Sequence, residues 1–113
     1  MIVNPASVSA EGLPVALVGP FRLDHATIGQ QVTERKPGVY ALLSEHNTTG
    51  QLEYVGRADE NLKERLEDLM NSFGWFLFAY ADSPADAYDK ERALYDHIQP
   101  PANGASPLAP TRP

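Results

Sequence analysis

The chain contains no cysteine, so structural disulfides and thiolate metal sites are excluded and the redox compartment is left open. Nor does it contain an apolar run long enough to span a membrane. The opening stretch, MIVNPASVSAEG, has neither a basic segment nor an apolar one, and so carries no sign of a secretory leader. The expectation is a soluble, cytoplasmic protein. Positive charge is scarce as well: nine Lys and Arg stand against 15 Asp and Glu, a net charge of −6. Gripping long duplex nucleic acid by general electrostatics needs clustered Lys and Arg, so that class is disfavoured. A small basic site within an acidic surface is not.

What is present is ordinary globular composition, 42% hydrophobic and 21% charged, which argues against wholesale disorder. A chain of 113 residues suits one domain with a modest core. No internal repeat is visible. Residues 1–36 mix short apolar phrases such as LPVALVG with Gly, Pro and polar residues, and read as an N-terminal extension with one or two possible short strands. The end, QPPANGASPLAPTRP, is too rich in proline for helix, and residues 104–113 read as a Pro-rich tail.

Between these ends the pattern sharpens. GVYALLSE and QLEYVGRA are rich in β-branched and aromatic residues, with turn chemistry in HNTTG between them, which predicts an antiparallel hairpin. ADENLKERLEDLMNSF follows as a helix, with Asp59 as its N-cap and Leu62, Leu66, Leu69, Met70 and Phe73 as an apolar stripe that Gly74 ends. WFLFAYA reads as a buried strand. A second helix opens on Ser83 as N-cap, Pro84 at the first position and Asp86 in a capping-box pattern, and runs to about Ile98. The order is α+β.

Two charges sit awkwardly on these helices. Glu91 falls in the middle of the apolar face that Ala87, Leu94 and Ile98 define. A carboxylate there needs compensation. A nearby arginine would supply it, and so would a hard cation such as Mg²⁺. Arg65 flanks the stripe of the first helix, as a snorkelling side chain or a partner of Glu64 or Asp68. Tyr40 and Tyr54 are favoured strand residues, and Arg57 stands at a strand end.

Taken in order, these residues resemble the GIY-YIG nuclease superfamily over roughly residues 37–103. GVY matches its first signature and YVG its second. RADENLKERL resembles the segment that ends in the family arginine, here Arg65. YADSPADAYDKERALYDHI resembles the strand and helix bearing the metal-binding glutamate, here Glu91. In QPPAN, Asn103 matches the asparagine of the closing motif. The resemblance implies a small three-stranded antiparallel sheet, ordered β-β-α-β-α and flanked by helices. It also implies hydrolysis of phosphodiester bonds in DNA or RNA with a single Mg²⁺ or Mn²⁺.

On that resemblance Glu91 would hold the metal, and Arg65 would bond the scissile phosphate with its planar fork. Arg57 would orient a flanking phosphate. Tyr40 would be the general base, as a phenolate whose pKa the metal and arginines lower, and Tyr54 would position water or the leaving group. Asn103 would tie the tail to the sheet on the substrate side. The chain departs from the family in having Leu69 where relatives often place Tyr or His, and one extra residue between Gly56 and Arg65. With so acidic a chain, binding of nucleic acid should be weak and short, resting on about two or three phosphate contacts. The alternative is a catalytically degenerate module of the same fold that binds a protein or nucleic-acid partner, with the apolar, proline-rich tail as a docking segment.

Overall fold

The structure, a computed structural model, describes residues 13–47 and 50–98. Asn103 and the Pro-rich tail lie outside the described residues. Seven elements follow one another: β1 (Val18–Arg22), α1 (His25–Gln31), β2 (Gly38–Leu43), β3 (Tyr54–Ala58), α2 (Leu62–Asp68), β4 (Trp75–Tyr80) and α3 (Pro84–Ile98). The strands form one antiparallel sheet in the order β1-β4-β2-β3. Among the described residues no helix is long and apolar enough to cross a membrane.

The α+β class agrees with the sequence reading, but the sheet has four strands rather than three. The fourth is β1, which pairs with the free side of β4. Its reason is backbone satisfaction. Phe76, Leu77 and Phe78 of β4 are buried, and an unpaired row of N–H and C=O groups beside them would be costly. The helix α1 precedes the hairpin and was not foreseen. Asp24 caps it by accepting from Thr27 N at 2.8 Å, and its Ile28 is completely buried.

All six residues of β2 are buried, so both sheet faces are covered. On one face Tyr40 and Leu42 pack with Ile28 and Val32, from α1 and the loop after it, and with Leu62 and Leu66 of α2. On the other Val39, Ala41 and Leu43 pack with Leu94 of α3 and with Val15 and Leu17.

The glycines of the two signature phrases are explained by close approach. Gly56 lies directly opposite Tyr40, and a Cβ at Gly56 would stand 2.4 Å from the Tyr40 hydroxyl oxygen. Tyr40 therefore lays its ring across the glycine. At Gly38 a Cβ would stand 2.7 Å from both Ala79 O and Leu62 Cδ2, so the first glycine lets α2 come down onto the sheet. The hairpin loop is closed by Glu53, which accepts from Ser44 N at 2.9 Å, from Ser44 Oγ at 3.0 Å and from Asn47 Nδ2.

Helix α2 differs from expectation at both ends. Its N-cap is Asn61, not Asp59, with Asn61 Oδ1 accepting from Glu64 N at 3.4 Å. Strand β3 continues to Ala58, and the Asp59 carboxylate is taken by Arg57. The helix stops at Asp68, and Leu69, Met70 and Phe73 reach the core from turns beyond it. Gly74 is needed there because a Cβ would meet Glu45 Cα at 2.5 Å. Helix α3 starts as read, with Ser83 Oγ accepting from Asp86 N at 3.0 Å. The Asp86 carboxylate reaches back to Asp82 N at 2.9 Å.

Gly56→Ala should then cost about 1–3 kcal/mol, the usual range for overpacking. In a Tyr40→Leu background, where the ring is gone, the same change should cost clearly less. Urea denaturation of both singles and the double gives the coupling; strictly additive losses would show that the ring does not rest on Gly56.

Candidate functional site

Strand β3 is an edge of the sheet, and the candidate residues gather around it from both faces. Directly paired residues of an antiparallel ladder share a face. Arg57 is opposite Val39 and so faces α3, whereas Tyr54 is opposite Leu42 and faces α2 with Tyr40. Arg65 comes from α2 and Glu91 from α3.

On the α3 side, Arg57 holds two carboxylates. Its Nη1 donates to Glu91 Oε1 at 2.5 Å and its Nε to Asp59 Oδ1 at 2.8 Å. The guanidinium also lies over the Tyr88 ring, 5.4 Å from its centroid, an arrangement that adds a cation–π contact. The Arg57 and Glu91 side chains are 13% and 9% exposed, so this is a largely desolvated pair. The misplaced carboxylate of the sequence thus has its compensation in an arginine. Burial pushes the Glu91 carboxyl above its ordinary range, and hydrogen bonding and charge from Arg57 only partly offset it. For Arg57 burial works against the charge, but hydrogen bonds and charge from Glu91 and Asp59 together outweigh it and raise its pKa.

On the α2 side, the Tyr40 and Tyr54 rings stack at 6.4 Å with an interplanar angle of 14°. Arg65 Nε donates to the Tyr40 hydroxyl at 3.3 Å. Tyr40 is 1% exposed, and this burial pushes its hydroxyl up to about 12 despite Arg65. The shift runs opposite to the lowered value that a phenolate base requires. At neutral pH Tyr40 is a neutral hydrogen-bonding partner of Arg65.

The two sides meet in one open cleft of about 310 Å³, whose lining includes Arg57, Arg65, Arg35 and Asn61. Asp59, Glu60, Glu64 and Asp68 line it too, so its charge is mixed. The structure therefore brings Tyr40, Tyr54, Arg57, Arg65 and Glu91 around one strand edge, while Asn103 lies outside the described residues. Leu69 packs against the core on the α2 side.

A metal was expected on Glu91. Among the described residues no group of three or more His, Asp or Glu could hold one, so a cation would rely on Glu91 and water. With Oε1 engaged by Arg57, Oε2 has no hydrogen-bond partner among the described residues. One free carboxylate oxygen fits Mg²⁺, which takes one or two carboxylates and keeps several waters.

Sequence reasoning missed two members of this site. Asp59 was read as a helix cap; its spacing from Arg57 on a strand end was the available signal. Arg35 drew no attention, although Arg35-Lys36 is the sole adjacent pair of basic residues in the chain.

No protein-family model, curated protein or solved structure matches this chain. Fold and site define an α+β domain with a four-stranded antiparallel sheet and a charged cleft at one edge.

Arg57→Ala should strip Glu91 of its ion-pair partner, and losing one member of a buried pair costs about 3–5 kcal/mol. The loss should depend on pH. The folded Glu91 carboxyl already lies above its ordinary value, so its favourable contribution is complete at low pH and is lost as pH rises through the raised value. Without Arg57 that value rises further. The gap between wild type and variant should be small near about pH 4.5 and widen towards about pH 7. Urea denaturation across that range checks it; a constant gap would mean that Glu91 does not depend on Arg57 for its charge.

Proposed function

We propose that this chain is a phosphodiester-hydrolysing nuclease of the GIY-YIG kind, acting on DNA or RNA with one divalent cation. The observation that carries the reading is the convergence at the β3 edge. Two arginines from different elements, Arg57 and Arg65, line one open cleft, with a carboxylate behind the first and a tyrosine hydroxyl behind the second. Phosphoryl chemistry needs such preorganised cations where charge develops on the phosphate oxygens.

Arg65 is the residue that touches the scissile phosphate. Its Nε is spent on Tyr40, which fixes the plane of the guanidinium and leaves both terminal nitrogens free for a bidentate grip. On this reading Tyr40 is a positioning residue acting through Arg65. Tyr54 lies half-buried against Tyr40 and Phe73 and keeps the Tyr40 ring in place. Arg57 orients Glu91 and Asp59 and has its second terminal nitrogen left for a flanking phosphate. Glu91 Oε2 would hold Mg²⁺ or Mn²⁺, which supplies Lewis-acid polarisation of the phosphate and a more acidic water.

The second reading, a catalytically silent module of this fold that binds a partner, draws on one observation: Arg57 already neutralises Glu91. The two readings separate on Arg65 and Glu91. For a nuclease, Arg65→Ala should bind a nicked or flapped DNA nearly as wild type does, yet lose about two to three orders of magnitude in single-turnover cleavage. Arg65→Lys should recover only part of it. Glu91→Gln should abolish Mn²⁺ binding in titration calorimetry. A wild type inert with Mg²⁺ on single-stranded, duplex and branched substrates, beside an Arg65→Ala variant with a lowered melting temperature, would leave only the binding module.

A further inference from the structure

Every Lys and Arg among the described residues has a carboxylate partner except four, in the α1–β2 loop and on α2. Arg22 pairs with Glu45, Arg57 with Asp59 and Glu91, Lys90 with Asp86, and Arg92 with Asp96. Arg35, Lys36, Lys63 and Arg65 have no ion-pair partner among the described residues. In a chain of net charge −6, four cations left unpaired side by side form an unusual surface. Proximity to so many acids would otherwise neutralise them.

Their positions are built into the fold. The loop between α1 and β2 is held by Tyr80, whose hydroxyl accepts from Thr33 N at 2.9 Å and from Glu34 N at 3.1 Å. Lys36 O accepts from Leu62 N at 3.0 Å, which ties the same loop to the start of α2. Lys36 is itself spent on the Tyr80 ring, 5.6 Å from its centroid. Arg35 is thereby fixed between two clefts. It lines the Arg57–Arg65 cleft and a neighbouring one of about 420 Å³, and Asn61 lines both as well. The second cleft ends at Thr33 and Lys63. The two are one groove with a shared wall.

We infer that this groove from Arg65 past Arg35 to Lys63 is the path of a single nucleic-acid strand leaving the phosphate site. The inference rests on the reading of the Arg57–Arg65 cleft as that site. Charge sets the direction. Four carboxylates line the first cleft, whereas Glu34 is the one carboxylate lining the second, against Arg35 and Lys63. A strand held at Arg65 meets less repulsion towards Lys63. A single strand is the better match, because Arg35 is the one cation common to both clefts and the few cations present suit the phosphates of one strand. Arg65, Arg35 and Lys63 make about three phosphate contacts, as many as so acidic a chain was expected to offer.

The test measures fluorescence anisotropy of labelled oligothymidylates of about 4 and about 12 nucleotides with the full chain, comparing wild type, Arg35→Gln, Lys63→Gln and Arg92→Gln. Arg35 and Lys63 are exposed and free of ion pairs, so their variants should melt as wild type does. Each should lose about five- to tenfold in affinity for the longer strand and flatten its salt slope by about 0.7, while the short strand binds unchanged. Arg92→Gln makes the same charge change on α3 and should bind as wild type. Unaltered binding of the longer strand by both groove variants, an equal loss in Arg92→Gln, or no strand binding by the wild type overturns the inference. So does a duplex of equal length binding more tightly than the single strand. Cleavage is scored separately: a wild type that binds along the groove but never cuts keeps the path and loses the hydrolytic reading. A wild type that cuts while both groove variants bind normally does the reverse.

Discussion

Strand β2 has no exposed residue, and the rest of the molecule follows from that constraint. A strand buried on both faces and both edges must be covered by other parts of the chain on all four sides. Strands β3 and β4 take the edges, α1 and α2 one face, and α3 the other. Because β4 is then buried too, it needs an outer partner, and β1 supplies it. The opposite edge, β3, has no outer strand among the described residues. Side chains from both helical layers can meet around this edge without passing through the sheet. Arg57, Arg65 and Glu91 collect there.

That edge is held by polar groups whose desolvation must be offset. On one side Glu91 gains Arg57, and Arg57 gains Asp59 as well. On the other, the Tyr40 hydroxyl sits over a glycine and finds Arg65. A buried ion pair rarely adds net stability over an apolar packing of the same volume, although breaking it is costly. The Arg57–Glu91 pair is therefore better understood as a device that fixes where two charges stand than as a stabiliser of α3 on the sheet. The same holds for Tyr40: a leucine would fill that space at less desolvation cost, but could not orient Arg65.

What was legible in the sequence tracks how local its cause was. The hairpin, β4 and α3 were readable because period, turn residues and the Ser83-Pro84 start act within a few positions. Glu91 was readable as an anomaly because helical spacing alone put it among Ala87, Leu94 and Ile98. The failures were all tertiary. A short strand was read before residue 37, but that β1 joins the sheet as the edge partner of β4 is not announced by its own five residues. Asp59 looked like a cap because caps are local, whereas its actual partner, Arg57, is on a strand whose length decides the matter. At Tyr40 a neighbouring arginine could be guessed from sequence, but burial to 1% exposure, which pushes the hydroxyl up, could not.

The distribution of paired and unpaired cations resolves an apparent conflict between composition and the proposed chemistry. An acidic protein repels phosphate at long range, and at physiological salt that repulsion is screened within about 8 Å. What matters at contact is which cations are already spent. Arg22, Lys90 and Arg92 are spent on carboxylates away from the cleft, so they contribute nothing to a phosphate ligand. Arg57 Nη1 is spent on Glu91 Oε1, and a divalent ion at Oε2 would bring a second cation to the same carboxylate. Metal and arginine then repel one another unless an anion lies between them. On the proposed reading a phosphate bound by Arg57 and Arg65 would offset that repulsion, so metal and phosphate should bind with positive coupling, each raising the affinity for the other by the same factor. Net charge describes the whole surface; the cleft is governed by the few charges that the fold leaves without partners.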